Sequence, residues 1–433
     1  MIRKNLDVLL VGGGGRENAL ARALARSPRT RKLAAAPGNP GIAEICTCHA
    51  VAAHDVAGLT RLASGLGTDL VVAGPEQPLV DGLTDSLNAH GIPVAGPTRA
   101  ASRLEGSKVF AKRTMTRLGI PQAEPYEVFD DFAAAERHLK RCEVPVVVKA
   151  DGLAAGKGVV VASARGEAIA AAREMLVDGR FGDAGRRIVV EPCLEGEEVS
   201  LLFFCDGRHA VPLVSARDYK RIGDGDQGPN TGGMGAHSPG SVDDALVETV
   251  RDTVVAPLLA GMAAERAFYK GVLYCGLMLT AEGPRVLEFN CRFGDPEAQV
   301  ILPRLRSCLT TLLELSALDS LAGVELDWDP RAALCVVLAS AGYPTSPRSG
   351  DRIEGLDELE LGGDLFVDHA GTRTEDGELF TAGGRVLSVG ALGADVAAAR
   401  KKAYAAASRI HFDGCQMRSD IGAAVAQLEE VAR

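Results

Sequence analysis

The sequence predicts a multidomain protein of α/β and α+β type, with a parallel α/β domain first and antiparallel sheets after it. Three observations lead there. The chain has 433 residues, more than one compact core usually holds. Its opening part alternates short apolar runs with amphipathic stretches, the mark of strand–helix–strand units. Beyond RLEGSKVFAKRTMTRLGIP the pattern changes to valine-rich runs joined by a short glycine loop, the mark of an antiparallel hairpin.

The elements follow in order. LDVLLV reads as a strand, Arg16 to Ser27 as a helix, and RKLAAAPGNPG, TDLVVAGPE and GIPVAGPT as further strands running into glycine or proline turns. In an open parallel sheet those turns share the carboxyl edge, where ligands bind. This first domain spans 1–104. The second, 105–328, holds the hairpin VPVVVKADGLAAGKGVVVASA, the run RRIVVEPCLEGEEVSLLFFCDG, a polar glycine-rich loop from Arg217 to Gly240, and the strands GVLYCGLMLT and PRVLEFNCRF. A loop that long within a compact domain usually carries function. A small α+β domain, 329–433, is read from AALCVVLAS, GRVLSVGALG and a helix near DVAAARKKAYAAASRI.

Composition narrows the function. Apolar residues make up 46% and charged residues 24%, ordinary for a soluble globular protein, and 50 glycines against 21 prolines imply many tight loops. A net charge of -10 argues against a broad nucleic-acid or anionic-membrane surface and leaves room for local phosphate sites. The ten cysteines form no framework, and Cys205, Cys275 and Cys335 sit inside apolar runs, which fits a reducing cytoplasm. Cys46, Cys48 and His49 lie close together, but no second cluster completes four metal ligands. No apolar run approaches the ~18 residues of a membrane span. MIRKNLDVLLVGGGG has too short an apolar core, and no cleavage pattern, for a signal peptide. The expectation is a soluble cytoplasmic protein without nucleic-acid or membrane partners.

Two glycine loops invite comparison with nucleotide motifs, and both depart from them. In VLLVGGGGRENALARA, Glu17 or Asn18 stands where a dinucleotide fingerprint needs its third glycine or alanine. The acidic residue expected after the next strand is also missing, since that strand ends in Ala36, Pro37, Gly38 and Asn39. What remains is a helix start with freed backbone N–H groups beside Arg16, suited to a phosphate, or else a plain strand-to-helix turn. In ADGLAAGKGVVV only three residues separate Gly152 from Gly156, and Gly158 stands where a P-loop has Ser or Thr. A glycine hairpin with Lys157 at its tip, and Lys149 at the end of the incoming strand, could fold over a triphosphate.

The stretch RVLEFNCRFGDPE is more telling. Strand alternation puts Glu288 and Asn290 on one face, two oxygen ligands suited to Mg²⁺ held against phosphates, with Arg292 continuing that face. Such groups are costly to bury without partners.

Together these stretches resemble the ATP-grasp superfamily and, within it, the phosphoribosylamine–glycine ligase family. The motifs run nearly end to end: GGGGRENAL, APGNPG, GPEQPLV, LEGSK, KADGLAAGKGV, GPNTGGMGA, EFNCRFGDPE, HAGT and GGRVL. The resemblance implies a pre-ATP-grasp N-terminal domain, an ATP-grasp domain with a mobile lid at about 124–193, and a small C-terminal domain. It implies ATP as co-substrate between two sheets, bound by Lys108, Lys149, Gly152, Gly156, Lys157 and Gly158. The segment Glu191, Pro192, Cys193, Leu194 would read adenine through its backbone, and Glu198 would hold the ribose. Glu288 and Asn290 would hold Mg²⁺ or Mn²⁺. Arg292, Lys149 and Lys157 would be catalytic. Arg292 with Asp218 and Lys220 would sit by glycine, and the turns Gly13, Gly14, Gly15, Arg16, Glu17, then Pro37, Gly38, Asn39, then Gly74, Pro75, Glu76 would hold 5-phosphoribosylamine. The implied reaction phosphorylates glycine and lets the amine attack the acyl phosphate, in a monomer or weak homodimer.

Several positions depart from the family's usual pattern. Asn18, and Arg217 with Tyr219, replace residues that are commonly histidine or glutamine, and Pro192 removes an N–H from the hinge. GVLYCGLMLT offers no acid for a second metal. A dehydrogenase built on the first loop would bind NAD(H). A nucleotide-binding regulator, motivated by Asn18 and Tyr219, would be inactive as wild type. A biotin-dependent carboxylase would carry a Met-Lys-Met stretch, which is absent.

Overall fold

The structure, a computed structural model, describes residues 4–154 and 157–431. Its N-terminal part is a five-stranded parallel sheet in the order Thr47–Cys48, Thr30–Pro37, Leu6–Gly12, Leu70–Ala73, Val94–Ala95. Leu6–Gly12 is central because it is apolar on both faces: Leu9 and Val11 pack on one side, Val8 and Leu10 on the other. The strand order reverses beside it, so the turns after Gly12 and Ala73 flank the crevice that such a sheet leaves at its carboxyl edge.

Helices Arg99–Gly106 and Lys108–Leu118 lead out of this domain. The turn between them is locked by Asp151, which accepts from the Ser107 hydroxyl at 2.7 Å and from the Val109 N–H at 2.8 Å. Two four-stranded sheets follow. The smaller runs Glu127–Phe129, Ile188–Pro192, Val146–Ala150, Val159–Ala162, and is covered by helices Phe132–Leu139 and Arg165–Leu176. The expected valine hairpin is there, with Val146 opposite Ala162 and Lys149 opposite Val159. The larger sheet runs Ala210–Pro212, Glu197–Asp206, Lys270–Thr280, Gly283–Asn290.

The stretch Arg217–Gly240, expected as a loop, is largely strand. Arg217–Asp218 and Gly235–Ser238 join Ala332–Ala339, Arg385–Gly393 and Leu365–His369 in one antiparallel sheet, and Arg221–Gly223 pairs with Gln227–Asn230 as a separate hairpin. The glycines that hid this from a periodicity reading are what permit it: a Cβ on Gly235 would lie 2.6 Å from the Cys335 carbonyl oxygen. The C-terminal sheet therefore borrows two strands from the middle of the chain. Arg22 ties it to the first domain through a two-pronged pair with the buried Asp368, both contacts at 2.8 Å. Among the described residues no helix is long and apolar enough to cross a membrane.

Candidate functional site

A cleft of about 750 Å³ opens between the two four-stranded sheets and is walled by the hairpin of residues 221–230 and by Arg385 of the C-terminal sheet. Strand Gly283–Asn290 delivers Glu288 and Asn290 into it, and Arg292 follows just beyond the strand end. The amide nitrogen of Asn290 donates to the Phe289 carbonyl at 2.8 Å, which turns its oxygen toward any ligand. Burial works to raise the Glu288 carboxyl, but Lys108, Lys220, Lys149 and Arg292 outweigh it and draw the group down to about 2. The Lys108 ammonium lies 3.4 Å away. Two oxygen donors on one face, the Glu288 carboxylate ringed by cations and the neutral Asn290 amide, suit a divalent ion that shares its shell with phosphates. Among the described residues no three His, Cys, Asp or Glu side chains gather as a metal site, at Cys46, Cys48 and His49 or elsewhere.

Lys149 ends strand Val146–Ala150 and is buried. Its ammonium lies 2.5 Å from Glu191 and 3.1 Å from the Leu287 carbonyl. Lys112 takes the other Glu191 oxygen at 2.5 Å. Burial pushes the Glu191 carboxyl up, and the two lysines more than offset it, leaving it below the ordinary range. The Glu191 side chain is thus committed to the lysines, and its backbone is what it can offer a ligand in the cleft. Pro192, Cys193 and Leu194 line the cleft beside it, as does Glu198, whose carboxylate pairs with Lys220 at 2.9 Å. Gly152 and Gly158 also line the cleft. Lys157 is exposed and does not, and Gly156 lies outside the described residues.

At the opposite end Arg292 bridges two carboxylates, Glu76 at 3.2 Å and Glu105 at 2.8 Å. Burial lifts the Glu105 carboxyl to about 7, with Arg292 opposing and Glu76 adding to the rise. Asp218 and Glu297 both face the cleft, and Asp218 Oδ1 is buried without a hydrogen-bond partner. Burial and the nearby Glu297 push the Asp218 carboxyl well up, despite Lys220 and Arg385. Arg385 pairs with Asp295 at 3.0 Å.

The first domain reaches this cleft through two side chains. Arg16 and Glu76 line the cleft, whereas Gly13, Gly14, Gly15, Glu17, Pro37, Gly38, Asn39, Gly74 and Pro75 do not. The loop satisfies itself: Gly14 N–H donates to Glu17 at 2.6 Å, Arg16 pairs with the other Glu17 oxygen at 2.6 Å, and Asn39 donates to the Gly13 carbonyl at 3.0 Å. A Cβ on Gly13 would lie 2.3 Å from the Gly38 carbonyl oxygen, and one on Gly74 would meet Glu17 at 2.2 Å. These glycines serve close packing of three turns.

The two unusual positions are also structural. Asn18 is buried and accepts from the His369 N–H at 2.8 Å, joining the first domain to the C-terminal sheet. Tyr219 is buried, and its hydroxyl accepts from the Gly422 N–H at 3.0 Å. Neither lines the cleft, which removes the observation behind the regulator reading. Sequence reasoning missed Lys112, Glu105, Glu297 and Arg385. Lys112 stood one helical turn from Lys108, and the other three lay within LEGSK, GDPE and GGRVL without an assigned role.

Comparison with known proteins agrees with this geometry. Models of the phosphoribosylglycinamide synthetase N domain, ATP-grasp (A) domain and C domain match residues 6–105, 106–298 and 333–424. Phosphoribosylamine–glycine ligase of Caulobacter vibrioides is 50% identical over 97% of this chain and 98% of its own. That of Phenylobacterium zucineum is 51% identical over 96% and 99%. The crystal structure of the Thermotoga maritima phosphoribosylamine–glycine ligase superposes with a TM-score of 0.83 at 32% identity, covering 96% of this chain and all of that one. The biotin carboxylase domain of Hydrogenobacter thermophilus 2-oxoglutarate carboxylase, solved with MgADP, shares the fold alone, at a TM-score of 0.71 and 17% identity over 96% of this chain and 92% of its own. The chain belongs to the phosphoribosylamine–glycine ligase family of ATP-grasp enzymes.

Proposed function

We propose that the protein joins glycine to 5-phosphoribosylamine at the expense of ATP, by way of glycyl phosphate, and releases glycinamide ribonucleotide, ADP and phosphate, the second step of de novo purine synthesis. The observation that carries the reading is the ring of Lys108, Lys149, Lys220 and Arg292 around Glu288 in one cleft. Phosphoryl transfer asks for alignment and charge neutralisation rather than a protein nucleophile.

In this reading the nucleotide lies along the hinge of Glu191, Pro192, Cys193 and Leu194, its ribose toward Glu198 and its phosphates toward Lys108 and Lys149. Glu288 and Asn290 would hold Mg²⁺ or Mn²⁺, which would supply neutralisation of the phosphate charge. Asp218 and Glu297 supply oxygen acceptors for the ammonium of glycine, and the unpartnered Asp218 oxygen is an acceptor awaiting a donor. Arg292 and Lys220 then face the carboxylate that accepts the phosphoryl group. Attack by the amine forms the C–N bond, expels phosphate and releases one proton from nitrogen. Arg16 and Glu76 are the first-domain side chains closest to this chemistry, so phosphoribosylamine is assigned to their end of the cleft.

We divide the chain as 1–104, 105–328 and 329–433, with residues 124–193 as the lid that excludes water from the acyl phosphate. The reading carries a cytoplasmic location and a chain acting alone or as a weak pair. Its test is ADP release with phosphoribosylamine generated in place, each substrate omitted in turn. Turnover should need all three, and equal turnover without glycine would refute the assignment.

A further inference from the structure

We propose that Arg418, from the C-terminal domain, is a positioning residue for the nucleotide cleft, acting through the hairpin of residues 221–230. Arg418 is almost fully buried although it carries a permanent charge. Its Nε and Nη2 grip Asp420 at 2.7 and 2.6 Å, while Nη1 donates to Asp226 at 2.7 Å and to the Arg221 carbonyl at 3.2 Å. Its guanidinium lies over the Tyr219 ring, 5.0 Å from the centroid. The residues beside it repeat the grip. Asp420 accepts from the Gly225 N–H at 2.8 Å, and Asp224 accepts from the Ser419 N–H at 2.8 Å and from the Ser419 hydroxyl.

The held segment is one that does not hold itself. Gly225 and Asp226 are both left-handed, with φ of 64° and 54°, and Asp226 is not glycine. The hairpin's own ladder is two strands with an irregular register, too little for independent stability. Yet Arg221, Asp226 and Asn230 line the cleft beside Lys220 and Glu198. A wall of the cleft is therefore fixed from residues far along the chain, by a planar fork with donors on three sides. Losing the fork leaves the cleft's other groups in place and loosens that wall.

The inference rests on the proposed nucleotide site, so the test reads the clamp and the site separately. Arg418→Met and Asp224→Ala are compared with wild type. Asp224 is exposed and does not line the cleft, so its variant keeps the test open if Arg418→Met fails to fold. Amide hydrogen exchange across 221–230 should quicken at least tenfold in each variant. The Kd for MgADP should rise at least fivefold and the KM for ATP with it, while the KM for phosphoribosylamine, assigned to the far end of the cleft, stays within twofold. The two changes together should exceed neither alone by more than about twofold, because both cut one clamp. Unchanged exchange across 221–230 overturns the proposal, whatever the nucleotide does. So does loosened exchange with unchanged MgADP affinity, or a parallel loss of kcat and of both KM values that tracks melting temperature. Failure of the wild type to bind MgADP would instead refute the functional reading.

Discussion

The Glu17 carboxylate sits 2.6 Å from the backbone N–H of Gly14, where an incoming anion would sit at the start of a helix. The enzyme's own side chain thus takes one of the N–H groups at the start of this helix. That contact is the helix's capping interaction, and Glu17 also pairs with Arg16. Glu17→Ala should therefore cost roughly 1–2 kcal/mol of stability, the range of a lost cap. Urea unfolding reads it directly, and an unshifted midpoint would show that the carboxylate is idle.

Glu288 is one negative group among four cations, and its removal leaves their charges unbalanced without breaking core packing. Glu288→Gln should therefore lower the melting temperature at neutral pH while the protein still folds. Its kcat should fall on the order of 10²–10³, the scale seen when one charge-stabilising group is lost. The Mg²⁺ concentration for half-maximal activity should rise as well. Activity retained at low Mg²⁺ would place the ion elsewhere.

The pair of lysines on Glu191 predicts a different outcome. Glu191→Gln leaves two buried ammonium groups facing an amide, and breaking a buried pair from one side typically costs about 3–5 kcal/mol. Chemical denaturation should show that loss. Lys112→Met with Glu191 intact leaves Lys149 as the partner and should cost less. Equal losses in the two variants would mean that Glu191 is not shared.

Burial alone lowers the His369 imidazole to about 4. The folded protein keeps it neutral, whereas the unfolded chain takes up a proton below about 6.5. The stability this group contributes is present above about 6.5 and is lost as pH falls toward 4. Urea midpoints measured at pH 7.5 and pH 5 should therefore diverge, and the gap should narrow in His369→Gln. Carboxylates contribute to the same acid loss, so the narrowing, rather than the loss itself, is the diagnostic.

Much of the cleft's lining was legible in the sequence because phosphate and metal chemistry demand particular residue types at fixed strand spacing. Glu288 and Asn290 alternate onto one face, and Lys149 ends a valine strand beside a glycine turn. What escaped depends on contacts between distant segments. Nothing local says that Glu17 turns back on Gly14, that Asn18 meets the His369 backbone, or that Glu105 meets Arg292. The strand at Gly235–Ser238 was hidden for the same reason: its partner lies in another domain, and glycine and polar residues give it no apolar alternation.

That borrowed strand bears on how the enzyme comes off the ribosome. Gly235–Ser238 leaves the exit tunnel long before Ala332–Ala339 exists to receive it, so the first two domains emerge with one piece unclaimed. Synthesis of the last quarter of the chain is then the event that completes the cleft, and a polypeptide stopped short of it would lack both the strand that receives Gly235–Ser238 and the Arg385 wall.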